Sequence, residues 1–148
     1  MRIYIASSWC NQHAVELLSE LLEDNGYTVV SFVAARRREE GGTCTGPVDL
    51  DAWIASEAGR LMFHHDLDGA CRSDLVIYLG PSGTDAWAEV GAAYASGVPV
   101  VGLLAKGESA GLMRRMVSRW FDDHRDLLRF LEEVEEETTP LEVGGHHG

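Results

Sequence analysis

Residues Asp74 to Leu104 read DLVIYLGPSGTDAWAEVGAAYASGVPVVGLL, and this stretch decides the fold. Asp74 to Leu79 is an almost continuous apolar run, as expected of a strand covered on both faces. A polar, glycine-bearing turn follows, then a helix of small residues over Trp87 to Ser96. Gly97-Val98-Pro99 turns the chain into a further apolar strand, Val100 to Leu104. Asp85 and Glu89 are four residues apart and share one helical face just past the carboxyl end of a strand. Open α/β sheets bind small ligands at that end.

Upstream, Arg2 to Ala6 is β-prone, and Ser7-Ser8-Trp9-Cys10-Asn11 offers several N-caps for a helix through Asn25. Gly26 ends that helix, and Tyr27 to Val33 reads as the second strand, so a parallel βαβ unit opens the chain. Arg36 to Pro47 is a charged connection with Arg36, Arg37 and Arg38, to which no motif assigns a role. A second helix is expected from Asp49 to Arg72, with Trp53, Ile54, Leu61, Met62 and Cys71 as core contacts. Gly111 to Trp120 reads as helical and Asp126 to Glu137 as a last amphipathic helix. The expectation is one domain over residues 1–137 with a flexible tail over 138–148. Its class is α/β: a flavodoxin/Rossmann-like sandwich with a mostly parallel central sheet flanked by helices.

The formal net charge of −12 argues against a nucleic-acid polymer as partner, because phosphate contacts need a basic face. No apolar run approaches the ~20 residues of a membrane span. MRIYIASSW begins in a strand pattern rather than a charged-then-apolar leader. Cys10, Cys44 and Cys71 lack any CxxC pairing and read as free thiols of a reducing compartment. A cytoplasmic protein is expected. His13, His64, His65 and His124 show no metal-ligand spacing, and neither G-x-G-x-x-G nor GK[ST] is present, so no metal and no cofactor is expected.

The candidate site residues each carry two readings. Glu89, among Ala86, Ala88, Gly91 and Ala92, is either approachable by a ligand or a surface residue favoured by the helix dipole. Asp85 is a ligand or a helix cap. Asp66, within HHDLDGACRSD, is an exposed turn residue or has a bonding task in the crevice. Tyr4 is a core ring with a wet hydroxyl or a site residue. Ser7 and Ser8 cap a helix or hold phosphate.

Taken together, IYIASSW (Ile3 to Trp9), DLDG (Asp66 to Gly69) and AEVGAAYASGVPVV (from Ala88) resemble the nucleoside 2-deoxyribosyltransferase family over about Met1 to Leu104. The resemblance implies a carboxylate nucleophile at Glu89, a tyrosine orienting it at Tyr4, and an aspartate beside the departing base at Asp66. Relatives include transferases and nucleoside monophosphate N-glycosidases, which are hydrolases. The implied activity is therefore cleavage or transfer at the N-glycosidic bond of a (deoxy)nucleoside or its 5′-monophosphate. The alternative is a non-catalytic module of the same fold that senses a nucleotide. A receiver-like signalling domain fits less well, because Ser7-Ser8 stands where an acidic pair would follow the first strand.

Relatives commonly place an aspartate or serine six residues before the nucleophile. Here that position is Gly83, with Ser82 and Asp85 beside it. Ser7, Ser8, Trp9, Asn11, Ser82, Gly83, Asp85 and Trp87 are expected to surround the substrate, with a phosphate on the serines, Asn11 and Thr84 and under the three arginines. Trp9, Trp87 or Phe63 would stack on the base. The partners expected are a small nucleoside or nucleotide and, again from the resemblance, a second copy of the chain in a homodimer or larger homo-oligomer. Trp53, Met62 and Phe63 are its expected contacts.

Overall fold

The structure, a computed structural model, describes residues 1–33, 49–108 and 111–138. The loop with Arg36 to Arg38, Cys44 and the expected tail beyond Thr138 lie outside the described residues. In chain order the elements are β1 (Arg2–Ala6), α1 (Gln12–Asp24), β2 (Thr28–Val30), α2 (Leu50–Ala55), α3 (Glu57–Arg72) and β3 (Leu75–Leu79). They are followed by α4 (Thr84–Ala95), β4 (Val100–Leu103), β5 (Arg119–Phe121) and α5 (His124–Thr138). Short 3-10 turns at Trp9–Asn11 and Leu112–Met116 complete the described chain.

The five strands form one parallel sheet in the order β2-β1-β3-β4-β5. Successive side chains of a strand point to opposite faces, and the sequence uses both. Ile3, Ile5, Leu75, Ile77, Val101 and Leu103 pack with Val15, Leu18 and Leu22 of α1 and Leu127 and Leu131 of α5. Tyr4, Ala6, Val76, Tyr78 and Val100 pack on the other face with Ala70 of α3 and Ala86, Val90 and Ala93 of α4. A single residue step along β1 therefore puts Tyr4 on the α3/α4 side, in register with Val76 of β3. Positive φ at Gly26 and Gly97, just beyond α1 and α4, lets the chain leave each helix toward the next strand.

Two features of this face are tight. α3 buries only Gly69 and Ala70, and a Cβ on Gly69 would run into the Tyr4 ring. Likewise Gly102 of β4 leaves room for the Trp120 ring of β5. Tyr78 is flanked by Trp87 at 4.5 Å and Trp120 at 5.8 Å between ring centres.

Three expectations are corrected. The helix anticipated from Asp49 to Arg72 is two helices, broken at Ser56. Its Oγ accepts the Gly59 N–H at 3.0 Å and donates to the Trp53 carbonyl at 2.7 Å, a cap that ends one helix and starts the next. Ile54 of α2 and Leu61 of α3, anticipated in the core, are 65% and 51% exposed; α2 buries no residue, and α3 turns only its small Gly69 and Ala70 to the sheet. Gly111 to Trp120 is not a helix: a 3-10 turn leads into β5, which pairs with the open edge of β4. The Ser118 N–H and Oγ both donate to the Val100 carbonyl, and Leu104 donates its N–H to Phe121. That long-range pairing outweighs the local helical pattern.

Replacing Gly69 with Ala places a methyl group inside the Tyr4 ring's space, so α3 and β1 must separate. Overpacking of this kind is expected to destabilise the fold by about 1–3 kcal/mol, measured by denaturant unfolding.

Candidate active site

Order in the sheet reverses between β1 and β3, since β1 connects outward to β2 while β3 runs on to β4 and β5. The loops leaving the carboxyl ends of these two neighbours diverge, and a crevice opens between them, as at the switch point of doubly wound sheets. The two loops are tied together at its floor. Ser7 Oγ donates to the Leu79 carbonyl at 2.7 Å, and Asn11 Nδ2 donates to the Pro81 carbonyl at 2.8 Å and to Ser7 Oγ at 3.1 Å. Above these ties lies a cavity of about 300 Å³.

The cavity lining combines a carboxylate set with an aromatic and apolar set. Asp66 of α3 and Asp85 and Glu89 of α4 form the first; Trp9, Phe32 and Trp53, with Met62, make up the second. Trp9 meets Phe32 edge-to-face at 4.5 Å between ring centres. Ser7, Ser8, Gly83, Thr84 and Ala86 complete the lining. Among the described lining residues there is no Lys or Arg.

Glu89 sits on the second turn of α4, where Ala86 and Val90 are buried and hold that helix on the sheet. Tyr4 rises from β1 beneath it, fully buried, and its hydroxyl donates to Glu89 Oε1 at 2.6 Å. Burial, then the Glu89 and Asp66 charges, raises the Tyr4 phenol far above its ordinary range, so it remains a donor. The Glu89 carboxyl is pushed up to about 8. Burial is the largest cause; the Tyr4 hydrogen bond opposes it, and the Asp66 and Asp85 charges add to it. Asp66 faces the same tyrosine, and its Oδ1 lies 3.1 Å from His65 Nδ1. A half-buried carboxylate held by one oxygen, with a second carboxyl group lining the same 300 Å³ space, can do nucleophilic and acid–base work on a small molecule.

The anticipated residues thus fall into two sets. Tyr4, Asp66 and Glu89 form one interacting group, and Ser7, Ser8, Trp9, Gly83 and Asp85 line the cavity with them. Asn11, Ser82 and Trp87 stand behind the lining: Asn11 ties the loops, Ser82 Oγ donates to the Leu79 carbonyl at 3.1 Å, and Trp87 packs on Tyr78. Of the alternatives open in the sequence, Asp85 is not the cap of α4; Gly83 holds that position. Ser8 does cap, accepting the Cys10 N–H at 3.3 Å. Phe63, offered as a stacking ring, points away and contacts His64.

Phe32, Trp53 and Met62 are cavity residues that the sequence reading assigned to a strand, a core and an interface. A signal for Phe32 existed: it follows directly on β2, whose carboxyl end flanks that of β1. Behind the site, the Tyr78 hydroxyl donates to Glu108 at 2.7 Å and accepts the Ser82 N–H at 3.2 Å, bracing the turn into α4.

No family model and no curated protein matches the chain. Among solved structures it is similar to a 2-deoxyribosyltransferase from the psychrotolerant bacterium Bacillus psychrosaccharolyticus. Identity there is 25%, over 86% of this chain and 90% of that one, with a TM-score of 0.62. It is also similar to a CMP N-glycosidase of Clostridium botulinum, at 18% identity over 89% of this chain and 99% of that one, TM-score 0.56. A conserved protein from Enterococcus faecalis gives 18% identity over 90% and 98%, TM-score 0.58. At 18% identity the latter two speak for the fold. The comparisons support the nucleoside 2-deoxyribosyltransferase-like family and, at family level, a function at the N-glycosidic bond.

Glu89 carries a stability signature of its own. Its folded-state pKa of about 8 exceeds the ordinary 4.5, so between these values the folded protein keeps a proton that the unfolded chain releases. Stability from this group is therefore lost as pH rises from about 4.5 to about 8. Glu89→Gln removes the loss and should gain on the unaltered protein by on the order of 3 kcal/mol between pH 5 and pH 9. Paired urea melts at the two pH values check this.

Proposed function

Starting from the nucleoside 2-deoxyribosyltransferase-like family, we propose that the chain cleaves the N-glycosidic bond of a nucleoside through a covalent intermediate on Glu89. The sugar would then pass to a second base or to water. The observation that carries this reading is the hydrogen bond from the buried Tyr4 hydroxyl to Glu89 Oε1, at the cavity wall that also holds Asp66. Tyr4 fixes one carboxylate oxygen and leaves Oε2 to attack the anomeric carbon. The C1′–N bond breaks through an oxocarbenium-like state, its electron pair moves to the base, and Asp66 gives the ring nitrogen a proton. Trp9, Phe32 and Trp53 offer faces and edges for a flat heterocycle.

The lining supports the neutral nucleoside over its 5′-monophosphate. Three carboxyl groups face the cavity, and the hydroxyls of Ser7 and Ser82 donate to the Leu79 carbonyl. A phosphate dianion in that surrounding meets like charge without a described Lys or Arg to offset it. Gly83 at the start of α4 leaves space at the position where relatives carry a longer side chain, and Asp85 one turn before Glu89 is the acceptor for a sugar hydroxyl.

The test is direct. The protein is incubated with 2′-deoxynucleosides and ribonucleosides and, separately, with their 5′-monophosphates, and released bases are measured by mass spectrometry. Base release should be at least about tenfold more efficient from the nucleosides, and Glu89→Ala should lower it by several orders of magnitude. A 2-fluoro-2-deoxynucleoside should leave a sugar adduct on the peptide containing Glu89. Near-normal release by Glu89→Ala would reject the nucleophile.

A second copy of the chain is also part of the proposal. Leu50, Ile54 and Phe63 are each about 60% exposed on α2 and α3, the helices that bound the cavity. Covering them would remove apolar surface from water and help exclude water from the site. Sedimentation at micromolar concentration should show a dimer or larger closed species, and only a 16.2 kDa species would reject this.

A further inference from the structure

Asp66 is asked to give up a proton for every base that departs, and its own surroundings say where that proton is replaced. On the cavity side Asp66 faces the Tyr4 phenol of β1 and the Glu89 carboxyl group of α4, and it shares the lining with Asp85. None of these is cationic. On its other side, Asp66 Oδ1 is 3.1 Å from Nδ1 of His65. Among the described residues, His65 is the basic side chain in contact with a carboxylate of the cavity.

The two residues open in different directions. Asp66 is about one-quarter exposed and lines the cavity at the sheet's switch point. His65 is about one-third exposed and lines a separate open hollow along the outer side of α3, with Leu61, His64, Asp68, Cys71 and Arg72. A line of contacts therefore runs from this hollow through His65, Asp66 and Tyr4 to Glu89, crossing α3, β1 and α4. Adjacent residues of a helix diverge by about 100°. That divergence is what lets one of the pair face the cavity and the other the outer hollow.

We infer that His65 is a positioning residue for Asp66, holding its carboxyl group toward the departing base and returning to it the proton that the base takes. The inference rests on the proposed N-glycosidic reading of the cavity. In the first step the C1′–N bond breaks, its electron pair goes to the ring nitrogen, and that nitrogen takes the proton from Asp66. In the second, the imidazolium of His65 passes its Nδ1 proton to Asp66 Oδ1 and becomes neutral. When the acceptor, water or a second base, then attacks the sugar on Glu89, it gives up one proton; Asp66 takes that proton as it hands its own back to His65, so both groups end the cycle as they began. The proton that leaves with the first base is matched by the one the acceptor gives up, and nothing is oxidised or reduced. Imidazole is suited to this because it gains and loses a proton near neutral pH.

The test separates leaving groups. An ordinary 2′-deoxynucleoside needs its base protonated. 7-Methyl-2′-deoxyguanosine carries a positively charged base that departs as a neutral molecule without a proton. His65→Ala should lower kcat on the ordinary substrate by about tenfold or more, within the range of general acid catalysis, and leave kcat on 7-methyl-2′-deoxyguanosine within about twofold. KM should change little on either substrate. His65→Asn keeps an N–H donor close to the Nδ1 position but has no proton to transfer, and it should show the same selective loss. His64→Gln, on the neighbouring solvent-facing histidine, is the control and should behave as the unaltered protein. Equal loss on both substrates, or loss on neither, would overturn the inference. Full activity of His65→Asn would overturn the return of the proton. If the unaltered protein releases base from neither substrate, the reading of the cavity itself falls and this inference falls with it.

Discussion

The hydrogen bond between the Tyr4 hydroxyl and Glu89 Oε1 is the constraint around which this molecule is arranged. A carboxylate beside a hydrophobic sheet face is costly unless a donor meets it, and a buried phenol is costly unless it finds an acceptor. Each satisfies the other, across 85 residues of chain. The bond forms only if β1 lies beside β3, α4 packs on that face, and α3 comes close enough to cover the tyrosine ring. Gly69 and Ala70 meet the last condition and Ala86, Val90 and Ala93 the second. The small residues that make this face of the sheet look under-filled in sequence are the ones that bring three elements within reach of one phenol.

The cavity follows from topology together with charge. Reversal of strand order between β1 and β3 opens the crevice, and the ties from Ser7 and Asn11 hold its floor closed. Burial, and after it the neighbouring Asp66 and Asp85 charges, push the Glu89 carboxyl up to about 8 against the opposing Tyr4 hydrogen bond. Such a group is poorly placed to stabilise the fold and well placed to react. Among the aromatic residues of the lining, Phe32 is buried and Trp9 is 38% exposed, which leaves Trp9 as surface for a flat ligand to cover.

Legibility differed from element to element for physical reasons. β1, α1, β3, α4 and β4 were readable because each has an unbroken period, two apolar faces or a glycine stop within a dozen residues. The break at Ser56 was not, since a serine inside an amphipathic pattern is neutral until its hydroxyl caps a following helix. β5 was not, because a three-residue strand is specified by the open edge of β4 and by the gap at Gly102, not by its own composition. At the site, Glu89, Tyr4 and Asp66 were singled out by the family resemblance, each having two open readings from the residues alone, whereas Phe32 and Trp53 look in sequence like any other buried aromatic.

What the sequence determined by itself is the alternation of strands and helices, the placing of Asp85 and Glu89 beyond a strand end, and the glycines that end α1 and α4. These are local properties: periodicity, propensity and caps act within a few residues. The tertiary structure decided which of the polar residues share a cavity. Asn11 and Ser82 became ties and braces, and His65 came to stand behind Asp66 with its ring turned to a second hollow. Those outcomes depend on distances between segments tens of residues apart, set by how closely the helices settle on the sheet. Packing fixes such distances to fractions of an ångström, and no local pattern encodes them.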